Sequence, residues 1–117
     1  MEVKMRKVSL EQTQKFKNSD KCIATEYGFA DKEIDITLAE INGRYPEKDY
    51  CVNEKVKEMI LCLEGTGKLC KENETISFKV GDAVLIDKGE KFYWDGHCKV
   101  AMHCAPAWYP DQHKLVK

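Results

Sequence analysis

From residue 34 onward the chain alternates apolar and polar positions in short bursts. Ile34, Ile36 and Leu38 alternate with Asp35 and Thr37, the period-two mark of a half-buried strand. Ile41 falls out of phase with that row and predicts a bulge or bend. Asn42-Gly43 reads as a turn. Met59-Ile60-Leu61-Cys62-Leu63 is a short apolar run, the pattern of a strand covered on both faces. Glu64-Gly65-Thr66-Gly67 is expected to turn the chain. Ile76, Phe78 and Val80 then alternate with Ser77 and Lys79, Gly81-Asp82 turns again, and Ala83-Val84-Leu85-Ile86 reads as a second buried run. Asp87-Lys88-Gly89 is a turn, Phe92-Tyr93-Trp94 a strand, and Asp95-Gly96 carries hairpin chemistry. Cys98 to Cys104 is the last clear strand, because Pro106 and Pro110 prevent its simple continuation. The first thirty residues are polar and weakly patterned. Ser9-Leu10-Glu11-Gln12 offers a capping box for one helical turn, and the remainder of that segment reads as an arm or edge strands. Many short strands separated by turn residues predict an all-β antiparallel sandwich or barrel.

Composition narrows the partners more than the fold. At 117 residues the chain suits one compact domain. Lys and Arg total 19 against 20 Asp and Glu, so the basic excess of a nucleic-acid binder is missing. No apolar run approaches the roughly 18–20 residues that span a bilayer. The charged N-terminus, Met1 to Lys7, has no apolar stretch behind it, so no secretory signal is expected. Six cysteines would suit a disulfide framework in a secreted chain. Without that context, and with no CxxC pair, they read as reduced, mostly buried thiols of a cytoplasmic protein.

Two stretches resemble the cupins, a family of small jelly-roll barrels. Glu58 and Gly65, with six residues between them, resemble the second half of cupin motif one. Gly81 through Gly89 to Phe92 is similar to cupin motif two, with Asp87 in place of its proline and Phe92 in place of its histidine. The matched region covers roughly residues 43–106. The resemblance implies a cupin-like jelly-roll barrel (double-stranded β-helix) over about 34–106, preceded by an N-terminal arm over 1–30 and followed by a C-terminal wrap over 106–117. It also implies a cavity inside the barrel. Motif one ordinarily carries a His-x-His pair upstream of its glutamate. Those places fall on Cys51 and Asn53 in one registration and on Val52 and Glu54 in another. Of the usual metal-binding set only Glu58 remains, so no metal or other cofactor is expected.

The candidate site residues follow from these positions. Glu58, directed inward as the resemblance implies, would have its pKa raised by apolar surroundings and could act as general acid or base. The competing reading pairs it with Arg44 or a lysine. Cys51, Asn53 and Lys55 share one strand face at period two; Lys55 would hold an anion or pair with Glu58, unless it is solvated. Phe92 and Trp94 share a face and would line the barrel, as a ligand wall or as filling. His103 is a second acid/base candidate, or a hydrogen-bonded core group. A remodelled metal site would need Glu58, His103 and Cys51 together. His97 and His103 are about 20 Å apart along one strand at about 3.3 Å per residue, too far for one ion. The run Pro106-Ala107-Trp108-Tyr109-Pro110-Asp111-Gln112-His113 resembles the segment that wraps small cupin barrels or reaches a dimer mate. Trp108 and Tyr109 are expected over a core edge or interface, or as a lid, and His113 on the surface.

The sequence therefore points to a small-molecule-binding barrel, expected as a homodimer, without the usual metal centre. Two alternatives stand beside it: a metal-independent sugar-type isomerase or epimerase using Glu58, and a metalloenzyme with remodelled ligands. Whether the chain is an enzyme stays open at this point.

Overall fold

A computed structural model describes residues 4–117; the opening three residues of the charged N-terminal stretch lie outside the described residues. The strands are β1 (Gln14–Ser19), β2 (Cys22–Glu26), β3 (Asp35–Asn42), β4 (Tyr50–Asn53), β5 (Lys57–Cys70), β6 (Thr75–Lys79), β7 (Ala83–Ile86), β8 (Lys91–Ala105) and β9 (His113–Val116). Every pairing between them is antiparallel. This is the all-β, curled, cupin-like barrel that the strand pattern and the two motifs predicted.

Two long strands hold it together. β5 and β8 pair from Lys57↔Ala105 to Cys70↔Tyr93. Along one half, β8 pairs β3 and β5 pairs β7; along the other, β8 pairs β4 and β5 pairs β6. Each long strand thus belongs to both walls and bends between them. The β5–β8 register shifts between Cys62 and Glu64, a bulge that increases local twist. It also switches the buried row from Glu58, Ile60 and Cys62 to Gly67 and Leu69. Gly65 and Gly96 both adopt positive φ there. A Cβ on Gly96 would come within 2.7 Å of Gly67 Cα and Thr66 O, so the backbones cross too closely for a side chain.

That crossing explains two differences from the sequence reading. Glu64 to Gly67 and Asp95-Gly96 do not reverse the chain; they are the bend inside two continuous strands. The apolar run of β5 is also not covered on both faces. Met59, Leu61 and Leu63 are 40–47% exposed, and Leu85 of β7 is 53% exposed, because both strands present one face outward.

β3 is inverted relative to expectation. Its inward row is Asp35, Thr37, Ala39 and Ile41, all facing a cavity, while Ile34 is 55% exposed. Ile41 is therefore in phase with the inner row and needs no bulge; its pairings to β2 and β8 run without a shift. The N-terminal segment supplies β1 and β2, which extend this wall beyond β3. Before them, the Gln12 side chain accepts the Ser9 N–H at 2.8 Å in a single 3-10 turn. All six cysteines are free and buried. No helix among the described residues is long and apolar enough to cross a membrane.

Candidate functional site

The inward rows of β2, β3, β4, β5 and β8 enclose a cavity of about 220 Å³. Glu58 faces it from β5, flanked by Cys104 of β8 and Ile86 of β7. Cys51 of β4 lies opposite Phe92 of β8. Phe92 and Trp94 meet edge to face at 6.2 Å and form an aromatic wall with Tyr45. Cys22, Met102 and the β3 row complete the interior.

Glu58 is 4% exposed. One carboxylate oxygen accepts a hydrogen bond from Asn53 Nδ2 at 2.9 Å. The other accepts no hydrogen bond from the described residues, and the residue lines the cavity. Burial pushes its pKa up to about 7, against the lowering effect of the Asn53 bond. The expected cation partner is elsewhere. Arg44 donates to the Glu47 and Asp49 carbonyls and lies 3.9 Å over the Tyr93 ring. Among the described residues, no lysine or arginine lines the cavity.

Asn53 is the hub behind Glu58. It is buried at the end of β4, and its Oδ1 accepts from Gln112 Nε2 at 2.9 Å and Trp108 Nε1 at 3.2 Å. His113 Nδ1 lies 3.2 Å from the same oxygen. These partners come from the segment that crosses the cavity mouth before β9 pairs with β4. Asp35 fastens that segment: its carboxylate accepts the backbone N–H of Trp108 at 2.9 Å and of Cys104 at 3.0 Å. Gln112 Oε1 accepts the Lys55 N–H at 3.2 Å, closing the β4–β5 loop onto it.

The sequence candidates therefore divide. Cys51, Asn53, Glu58, Phe92 and Trp94 come together at the cavity or directly behind it. Lys55 and His103 do not. Lys55 is exposed in the loop after β4. His103 is exposed on the outer face of β8, since residues of opposite parity, Met102 and Cys104, take the inner row. The remodelled ligand set of Glu58, His103 and Cys51 is excluded by that parity. His113 is the converse case. It was expected on the surface, yet it is half-buried and lines the cavity, with its ring 5.5 Å from that of Trp108. Trp108, 40% exposed, both lines the mouth and bonds Asn53. Pattern could not find Asp35, Gln112 or His113, because polar residues pointing inward look like solvent-facing ones along the chain.

The motif resemblance to cupins implies an ion held where Cys51, Asn53, Glu58 and Phe92 stand, and these residues do not fit one. Burial raises the Cys51 thiol to about 12, and it donates to the Phe92 carbonyl, so it is not a thiolate ligand near neutrality. Asn53 Oδ1 already accepts from Gln112 and Trp108, and Phe92 has no ligating side-chain atom. Among the described residues no group of three or more His, Cys, Asp or Glu is arranged to hold a metal.

The barrel and its internal site define a cupin-like class of fold, and solved structures place the chain within it. Pac13, a nucleoside dehydratase from Streptomyces, matches at 16% identity over 97% of this chain and 92% of its own, with a TM-score of 0.86. The polyketide cyclase RemF from Streptomyces resistomycificus matches at 16% identity, over 97% and 87% of the two chains, with a TM-score of 0.74. A cupin-2 domain protein from Shewanella frigidimarina matches at 18% identity over 64% and 72%, with a TM-score of 0.58. At these identities the likeness shows the fold alone. No family model and no curated protein matches the sequence.

Proposed function

We propose that the cavity binds a small uncharged molecule and that Glu58 moves a proton on it without a metal centre. The observation that carries this reading is the placement of Glu58. It is a buried carboxyl lining the cavity, with one oxygen clamped by Asn53, the other accepting no hydrogen bond from the described residues, and no Lys or Arg among the described lining side chains. A carboxyl shielded in this way exchanges protons near neutral pH, as an acid or base catalyst requires.

Charge and size restrict the substrate class. Glu26, Asp35 and Glu58 line the cavity and no Lys or Arg does, so a phosphate or carboxylate would meet like charge and no counter-ion. A volume of about 220 Å³ is below the usual range of roughly 300–1,000 Å³ for drug-sized ligands. Aromatic walls suit a flat or cyclic skeleton. The reaction class is elimination or isomerisation beside a carbonyl. A nucleoside dehydratase and a polyketide cyclase on the same fold support proton-transfer chemistry of that kind.

The test has two arms. In a thermal-shift screen of matched small molecules with and without a phosphate group, the stabilising compounds should come from the unphosphorylated set. With any such compound, isotope exchange at its carbon should be lost in Glu58→Gln. Equal stabilisation by phosphorylated partners would refute the charge argument. Unchanged exchange in Glu58→Gln would reduce the site to a binding module.

A further inference from the structure

We propose that His113 is a second proton-transfer group of this site, its Nε2 acting as base opposite the Glu58 acid, with Asn53 as the residue that positions both. The inference rests on the reading of Glu58 above. Its geometry begins with the orientation of one amide. The indole N–H of Trp108 can only donate, and it lies 3.2 Å from Asn53 Oδ1, so that end is the oxygen. The amide nitrogen is thereby turned to Glu58, 2.9 Å away. The oxygen end lies 3.2 Å from His113 Nδ1. An amide oxygen only accepts, so this contact is attractive when Nδ1 carries the proton. Nε2 is then left with its lone pair, makes no hydrogen bond to any of the described residues, and belongs to a residue that lines the cavity.

Burial acts oppositely on the two groups. It lowers the His113 pKa and raises that of Glu58. The two shifts favour the neutral form of each group, an imidazole free to accept a proton and a carboxyl able to give one. The other ionisable groups facing the cavity do not reverse this. Asp35 is bound to two backbone N–H groups, and Glu26 sits exposed at the mouth. The Cys22, Cys51 and Cys104 thiols and the Tyr45 phenol are all pushed toward their neutral forms.

On a β-hydroxy carbonyl compound the step balances without a cofactor. His113 Nε2 takes the α-proton, and the C–H electron pair becomes the new C=C bond. The C–O bond breaks, and the Glu58 proton leaves with the hydroxyl as water. One proton then returns from the imidazolium to the carboxylate through solvent.

The test uses the whole protein. ¹⁵N NMR of the His113 ring should show Nδ1 protonated and Nε2 bare above its midpoint, which should fall below 6.5. The neutral probe 5-nitrobenzisoxazole opens when a base removes its ring proton. The protein should accelerate that opening over buffer, with a rate that rises with pH through the same midpoint. His113→Gln should lose at least tenfold, and His103→Gln should lose nothing. An Nε2–H tautomer, no acceleration over buffer, or a folded His113→Gln variant with the parent rate would each overturn the proposal. Separately, a Glu58 carboxyl that titrates at its ordinary value in ¹³C spectra would overturn the Glu58 reading, while the imidazole tautomer stayed measurable.

Discussion

Replacing Glu58 by glutamine should make the protein more stable, and more so as pH rises. The substitution keeps the side-chain volume and an oxygen to accept from Asn53 Nδ2, the one hydrogen bond the carboxyl makes. It removes a charge that burial disfavours. In the fold Glu58 titrates at about 7, against a reference of 4.5. An acid whose folded pKa is raised binds its proton more tightly when folded. Its contribution to stability is present in full below the unfolded value and is lost as pH rises through the folded one. At 1.36 kcal/mol for each tenfold change in proton affinity, the wild-type chain should lose about 2–3 kcal/mol between pH 5 and pH 8 from this group. Glu58→Gln lacks that loss. Urea unfolding of both chains at several pH values isolates the term, because the other titrations cancel in the difference. The variant's advantage should grow by about 2–3 kcal/mol from pH 5 to pH 8, or about 10 °C in Tm for a domain of this size. A difference flat to within about 0.5 kcal/mol would show that Glu58 is not desolvated as described.

Other expectations follow from the same structure. Asn53→Ala removes the acceptor of the buried Gln112 amide and the donor to Glu58, and should cost about 2–4 kcal/mol in denaturant melts. Gly96→Ala forces a Cβ against Gly67 Cα and Thr66 O at positive φ. It should cost more than the roughly 1 kcal/mol of an ordinary glycine substitution, with a lowered Tm as the readout. Cys51, with its thiol at about 12, should be about one part in ten thousand thiolate at pH 8. Mass-spectrometric mapping after brief iodoacetamide treatment should find it unmodified until the fold is melted.

Periodicity located β3, β6 and β7 because β-strands write their burial into every second residue, and it left β9 unmarked. It failed where a strand serves two walls. Glu64-Gly65-Thr66-Gly67 and Asp95-Gly96 carry turn composition, yet they are where β5 and β8 bend across each other. Glycine is required there for close approach, and a linear pattern cannot separate that from chain reversal. The site was half legible. Glu58, Asn53, Cys51, Phe92 and Trp94 were reachable through motif spacing and strand parity, while His103 and Lys55 shared those signals and point outward.

By itself, the sequence determined an all-β chain with many short strands, a near-neutral net charge and the residue types at the two cupin-like motifs. Each of these is a property of residue identity or of local spacing. Only the tertiary structure decided which face of β3 is inside. A cavity inside the barrel inverts the usual rule, with Asp35 and Thr37 turned inward while Ile34 stays exposed. Only the tertiary structure, too, brought His113 to Asn53, sixty residues away in the chain. Contacts of that separation depend on how β4 and β9 pair, and no local pattern encodes that pairing.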